Sequence, residues 1–377
     1  MTITELRPDL ALHVDAKTLA AAVSRVARYL PVRPTHPALG GVLLECGPDG
    51  LTLSGFDGDT AACTSIAAET FGPGKVLVSG RLLAAITGAL RGDAELRREG
   101  SKVLLAAGGV RATLPVMDLG DLSPAPARPS AIGTVTGETL GRIASRVAVA
   151  VSTDPNAYNL PCLMGVHLTF GPGGIRAVGA DGYRLAVDSV DWEAGTDREV
   201  VAVMPGALLT EAAKTFAGAD AVTVLCNGGL VGFESGRHSV VVRQLESEKY
   251  PLPMLAAMAR RSSAPVVVDV AELVAALKTA TLVQAPRTPS ILDIGADRMV
   301  VSAADGTGEA GISLPVACHN PGPDVTVRDN PQYALDALSA LGSATAELSI
   351  TDPKRPLLFT SPDDDTYRHT CMPIRNL

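Results

Sequence analysis

Aromatic residues make up only 3% of this 377-residue chain, although hydrophobic residues make up 46%. Its cores must therefore be rich in valine, leucine and alanine. No C-x-x-C pair occurs. The six cysteines (Cys46, Cys63, Cys162, Cys226, Cys318, Cys371) stand far apart, fit no zinc spacing and read as reduced structural thiols. No apolar run approaches the roughly 20 residues of a membrane helix. The opening M-T-I-T-E-L-R-P-D-L lacks the basic and apolar regions of a signal peptide. These absences predict a cytoplasmic protein with no membrane partner. A general basic coat is missing too, since the formal net charge is −8. That argues against a wholly basic nucleic-acid surface while leaving room for a local one.

Catalytic patterns are equally scarce. The stretch 306–311, G-T-G-E-A-G, matches G-x-G-x-x-G, but a dinucleotide site needs a helix next and I-S-L-P-V follows. F-G-P-G-K at 71–75 lacks the first Gly and the final Ser/Thr of a phosphate loop. The six histidines form no H-E-x-x-H, and no G-x-S-x-G is present. The sequence predicts no catalytic residue, no metal site and no cofactor.

What the chain does have is a triplicated frame. L-S-G-F-D-G-D-T-A-A at 53–62, V-G-A-D-G-Y-R-L-A-V at 178–187 and V-S-A-A-D-G-T-G-E-A at 301–310 each set Asp-Gly after a strand-like run. The aspartates Asp57, Asp181 and Asp305 are spaced 124 residues apart both times. One Asp-Gly is a turn signal. Three at one spacing predict three similar domains, a natural number for this length.

The surroundings repeat as well. Helix-like segments at 16–30, 137–151 and 270–284 precede the marks, the first carrying Leu19, Val23, Val26 and Leu30 on one face. Hairpin patterns follow at 41–56, 165–180 and 291–304, each with a short turn. A strand and a second helix come next, at 75–90, 199–216 and 324–341, and further strands close each unit. The Pro-rich stretch 123–130 and the basic stretch 256–265 read as linkers. This gives domains at 1–128, 131–257 and 264–377.

Four further segments carry a family resemblance: R-P-T-H-P-A-L-G at 33–40, L-M-G at 163–165, A-D-G-Y-R-L-A at 180–186 and the C-terminal C-M-P-I-R-N-L. Together with the triplication, they resemble the bacterial DNA polymerase III beta subunit, the replication sliding clamp, over essentially the whole chain. The resemblance implies an α+β DNA clamp fold, with three similar domains per chain. It also implies a head-to-tail homodimer forming a ring of six modules, helices lining the hole. Expected partners are duplex DNA without sequence specificity, the DNA polymerase III alpha subunit, the clamp loader and other proteins with clamp-binding motifs. The protein would be a non-catalytic processivity factor.

Basic residues recur on the helices: Arg25, Arg28, Arg142, Arg146 and Lys278 on the first helices, Arg81 and Lys214 on the second. Spacings of three and four put such pairs on one face, and in a clamp that face would meet phosphates. By resemblance, Arg33, Arg287 and Tyr158 are further DNA contacts. The resemblance also implies a peptide groove at Leu163, Ala180, Gly182, Tyr183, Arg184, Leu185, Pro251, Thr370, Met372, Pro373, Ile374 and Arg375. Departures fall here: Ala180 replaces the usual Thr, Thr370 and Cys371 replace large aliphatics, and Asn376 sits near the end. The alternative expectation is therefore a specialised second clamp whose altered groove tolerates a clamp-binding antibiotic.

Overall fold

The computed structural model describes residues 10–154, 156, 160–256, 261–285, 288–305 and 310–374. The first helices of the three repeats are Ala16–Ala27, Gly137–Val147 and Val270–Ala280, each ending short of its predicted limit. Asp15 caps the first by accepting from Thr18 N at 2.7 Å, and Asp269 caps the third by accepting from Glu272 N at 2.9 Å. Such carboxylates satisfy N–H groups that have no partner within the helix. The first helix buries Leu19, Val23 and Val26, the predicted stripe. Pro31 follows closely and disfavours helical geometry at Leu30. The chain instead leaves through a tight turn, with Leu30 N bonded to Ala27 O at 3.1 Å.

The three hairpins form as Gly41–Gly47 with Gly50–Phe56, Gly165–Gly171 with Gly174–Ala180, and Ser290–Ile294 with Arg298–Ala304. Gly50 turns at φ +117°, and a Cβ there would lie 2.3 Å from Ile66 O. Glycine alone fits that turn. The Asp-Gly marks follow. Asp57 Oδ1 accepts from Asp59 N at 3.0 Å and Thr60 N at 2.6 Å. Asp181 Oδ1 accepts from Tyr183 N and Arg184 N at 2.9 and 3.0 Å, and Asp305 Oδ2 from Ala310 N at 3.1 Å. The repeated aspartates are thus turn formers. After Asp305 the chain enters the strand Gly311–His319, not a helix. The second helices are Gly80–Thr87, Gly206–Thr215 and Pro331–Leu341.

By compactness the chain divides into two units. One comprises the described residues of Met1–Gly137 with Glu211–Gln244, the other Glu138–Thr210 with those of Leu245–Leu377. The central repeat contributes to both, because its strands continue sheets begun by its neighbours. In the first unit Thr60–Ile66 pairs with His238–Arg243, from Thr60 opposite Val242 to Thr64 opposite His238. In the second, Arg184–Val190 pairs with Arg368–Cys371, from Arg184 opposite Cys371 to Val187 opposite Arg368. The strands 60–66 and 184–190 are equivalent, separated by the repeat spacing.

Two strands of these classes lack such a neighbour among the described residues. Gly311–His319, the third repeat's equivalent of 60–66, pairs with Arg298–Ala304 along 311–317 and with Val266–Asp269 only at Cys318 and His319. Val110–Met117, the first repeat's last strand, pairs with Lys102–Ala107 along 110–115 and with Gly74–Ser79 only at Val116 and Met117. Among the described residues, one side of each has no strand partner along most of its length.

Candidate functional site

The candidate groove lies in the second unit on the sheet face built by Gly174–Ala180, Arg184–Val190 and Arg368–Cys371. Strand alternation sorts its side chains into rows. Ala180, Leu185 and Thr370 form one, Val178, Val187 and Arg368 the next, and Arg176 opposite Ser189 begins a third. The face therefore grades from apolar to basic along the strand direction.

Over the apolar end lies Leu252–Ala256, a short helix following Tyr250 and half-buried Pro251. Leu163, Val178, Ala180, Leu185, Tyr250 and Leu255 pack as one buried cluster. Tyr250 Oη donates to Val178 O at 3.1 Å, and burial pushes its phenol well above the usual range. Beside the cluster a cavity of about 420 Å³ opens, floored by Val178, Leu185 and Val187 and walled by Leu252 and Leu255. Arg176, Ser189, Asp365, Thr366 and Arg368 edge its polar side.

Of the groove residues expected from the sequence, Leu185 lines this cavity, while Leu163, Ala180 and Thr370 are buried beneath or beside it. Gly182 holds φ +91° in the turn that exposes Tyr183. Arg184 is tied down: its Nε donates to Asp181 Oδ2 at 3.0 Å, Nη1 pairs with Asp336, and the guanidinium stacks 4.4 Å from the Tyr333 ring centroid. The tail docks as backbone, with Met372 N bonded to Tyr183 O at 2.7 Å and Ile374 N to Arg328 O at 2.8 Å. Pro373 between them is buried. Arg375 lies outside the described residues. The sequence expectation missed Arg176, Val178, Val187, Leu252, Leu255 and Arg368. Alternation along 176–178 and 185–189 was the available signal for the strand members.

The basic residues divide sharply. Arg33, Arg81 and Lys278 are exposed. Arg28 and Arg81 edge one cavity of about 810 Å³ in the first unit. Arg25 Nη1 lies 3.0 Å from His238 Nε2, and Arg28 lies 3.8 Å from Glu211. Burial and then Arg25 push the His238 imidazole down, keeping it neutral to accept that contact. Lys214 is exposed but pairs with Glu211 at 2.7 Å.

Arg142 and Arg146 are ion-paired within the second unit. Arg142 grips Asp188 with two bonds, and Arg146 Nη1 lies 2.6 Å from Asp364. Arg146 also donates to Leu341 O at 3.1 Å and lies over the Tyr367 ring. Their side chains are turned toward Asp188, which is buried, and Asp364, which is half-buried. Tyr158 and Arg287 lie outside the described residues. Among the described residues no group of three or more His, Cys, Asp or Glu is arranged to hold a metal ion, and no helix is long and apolar enough to cross a membrane.

Comparison with known proteins accounts for the repeat. Family profiles for the N-terminal, central and C-terminal domains of the DNA polymerase III beta subunit match residues 10–125, 134–251 and 257–375. The beta sliding clamp of Streptomyces coelicolor is 32% identical, covering 97% of this chain and 99% of its own. The beta sliding clamp homolog GriR of Streptomyces muensis is 29% identical over the same shares. The solved sliding clamp of Bacillus subtilis superposes with a TM-score of 0.90 at 22% identity, covering 98% of this chain and all of its own. A Pseudomonas aeruginosa clamp bound to griselimycin gives 0.89 at 22% identity, with the same coverage. Three domain profiles in order and a relative aligned almost end to end show that the chain belongs to the DNA polymerase III beta subunit, or beta sliding clamp, family.

Proposed function

We propose that this protein is a processivity clamp. Two copies close head to tail into a ring around duplex DNA and tether the replicative polymerase, with no catalytic step of their own. The observation that carries this is the pair of open strands. Inside the chain, the 60–66 class of strand meets the last strand of the next repeat twice. The third member of that class, Gly311–His319, and the remaining last strand, Val110–Met117, are left to meet each other across two chains. Exposed apolar residues accompany both edges. Leu282, just past the helix of the third repeat, is 83% exposed, and Leu82 on the second helix of the first repeat is 48% exposed. Apolar side chains this open suit a partner surface.

Arg33, Arg81 and Lys278, with Arg25, Arg28 and Lys214 in support, are the proposed phosphate contacts. Tyr158 and Arg287 join them on resemblance alone. Contacts to phosphate position a protein without reading sequence, which sliding requires. Arg142 and Arg146 are left out, since acids already balance their charge. The groove is the proposed dock for the polymerase alpha subunit, the clamp loader and other proteins bearing clamp-binding motifs. An apolar pocket with a polar rim suits a short segment with an aliphatic anchor. Sedimentation tests the assembly: a mass of twice 38.7 kDa is expected. A monomer at micromolar concentration contradicts the ring.

A second reading, a specialised clamp that tolerates a groove-binding antibiotic, is favoured by the buried Ala180 and Thr370, where the family usually carries larger groove side chains. Comparing affinities for a polymerase peptide and for griselimycin separates the two readings. Retained peptide binding with weakened griselimycin binding supports the specialised clamp.

A further inference from the structure

Three arginines of the second unit, Arg142, Arg146 and Arg184, are paired with carboxylates on or near the helix side of its sheet. Two others face the groove and behave differently. Arg176 and Arg368 are exposed, edge the cavity and make no ion pair with a described residue. Asp365 is the one carboxylate on the same rim, so this end of the groove keeps an excess of positive charge.

Their placement is fixed by register. Arg368 stands in the row of Val187 and Val178, and Arg176 one row further from Leu185. Rows on one face of a strand are about 7 Å apart. An extended segment with an aliphatic side chain over Leu185 and Val178 therefore brings its residue two or three positions along to the two guanidinium groups. Arginine presents a planar fork that matches a carboxylate.

We propose that the groove prefers partner segments carrying an aspartate or glutamate two or three positions from the aliphatic anchor, with Arg176 and Arg368 selecting for it. The inference rests on the groove being a peptide dock and adds the class of peptide it takes. Partners whose segments are neutral at that position bind by the anchor alone and are outcompeted by acidic ones. At an exposed site the gain is only several-fold, and salt reduces it.

The test uses the full-length protein and two labelled extended peptides. They share one leucine anchor and differ only in Asp or Asn two positions along. Fluorescence anisotropy at low salt is expected to show the Asp peptide binding about three- to tenfold tighter. In the Arg176→Gln/Arg368→Gln double variant the ratio of the two affinities falls to about one. Equal binding of the two peptides to the unaltered protein overturns the inference and leaves the groove standing. An advantage that survives the double variant overturns it as well. If neither peptide binds, the groove assignment fails and takes the inference with it.

Discussion

Arg142 holds Asp188 with two parallel bonds, Nε to Oδ2 at 3.0 Å and Nη2 to Oδ1 at 2.9 Å, and Asp188 has no exposed surface. Arg146 and Asp364 complete the cluster, and Thr366 bonds both Arg142 and Asp364. The turn at 364–366 that walls the groove is thereby fastened to the helix Gly137–Val147.

Removing Arg142 leaves a buried carboxylate short of its main partner. Arg142→Ala is expected to destabilise the protein by about 3 kcal/mol, the low end for breaking a buried pair, because Arg142 is itself partly exposed and Arg146 remains. Urea denaturation measures this. DNA affinity at a temperature where the variant is folded should be unchanged; a selective loss of DNA binding would return Arg142 to the phosphate-contact set.

The cluster also marks where sequence reasoning ran out. Helix periodicity, strand alternation and the 124-residue spacing made the three repeats legible, because short-range periods dictate those elements. A spacing of four placed Arg142 and Arg146 on one helix face, but only the fold brings Asp188 and Asp364 to that face. The groove was half legible. Its turn residues Gly182 and Tyr183 follow from the Asp-Gly mark, whereas Leu252 and Leu255 sit on a five-residue helix too short to show a period. Arg176 and Val178 were within reach of strand alternation.

Two carboxylates, half-buried Asp364 and buried Asp329, predict opposite pH responses. Burial raises Asp364, but hydrogen bonds from Thr366 and Arg146 and the charge of Arg146 prevail and hold it well below the usual range. Its contribution is present above the unfolded value of 3.8 and is lost as pH falls through the folded one. Asp329 is wholly buried, and burial pushes it up to about 7 against the bond from Asn330 N. The fold keeps that proton while the unfolded chain releases it. Asp329 therefore favours folding most below 3.8, and the advantage is lost as pH rises toward about 7. Asp329→Asn should raise the melting temperature at pH 8 and flatten its decline between about pH 4 and 7. An identical pH profile in the variant would show that Asp329 is not the group responsible.

Leu282 is too exposed to support its own chain, so Leu282→Arg should leave the melting of the monomer unit nearly unchanged. If it faces the partner's helix Gly80–Thr87, the change halves the sedimenting mass at micromolar concentration. A variant that remains dimeric removes Leu282 from the interface.

Charge reversal at Arg33, Arg81 and Lys278 tests the phosphate contacts. Each lost contact should lower the salt slope of DNA binding by about 0.9. Dimer mass and peptide binding should stay as they are. An unaltered slope would mean that these three side chains meet no phosphate.

The central claim, a closed ring threaded by DNA, is tested most directly by retention on a nicked circular plasmid before and after it is cut once. A ring loaded on the circle stays bound through gel filtration at moderate salt and runs off the ends once the circle is linear. Release from the intact circle at the same rate, or retention on the cut DNA, would contradict topological linkage and leave a protein with the clamp fold but without its sliding function.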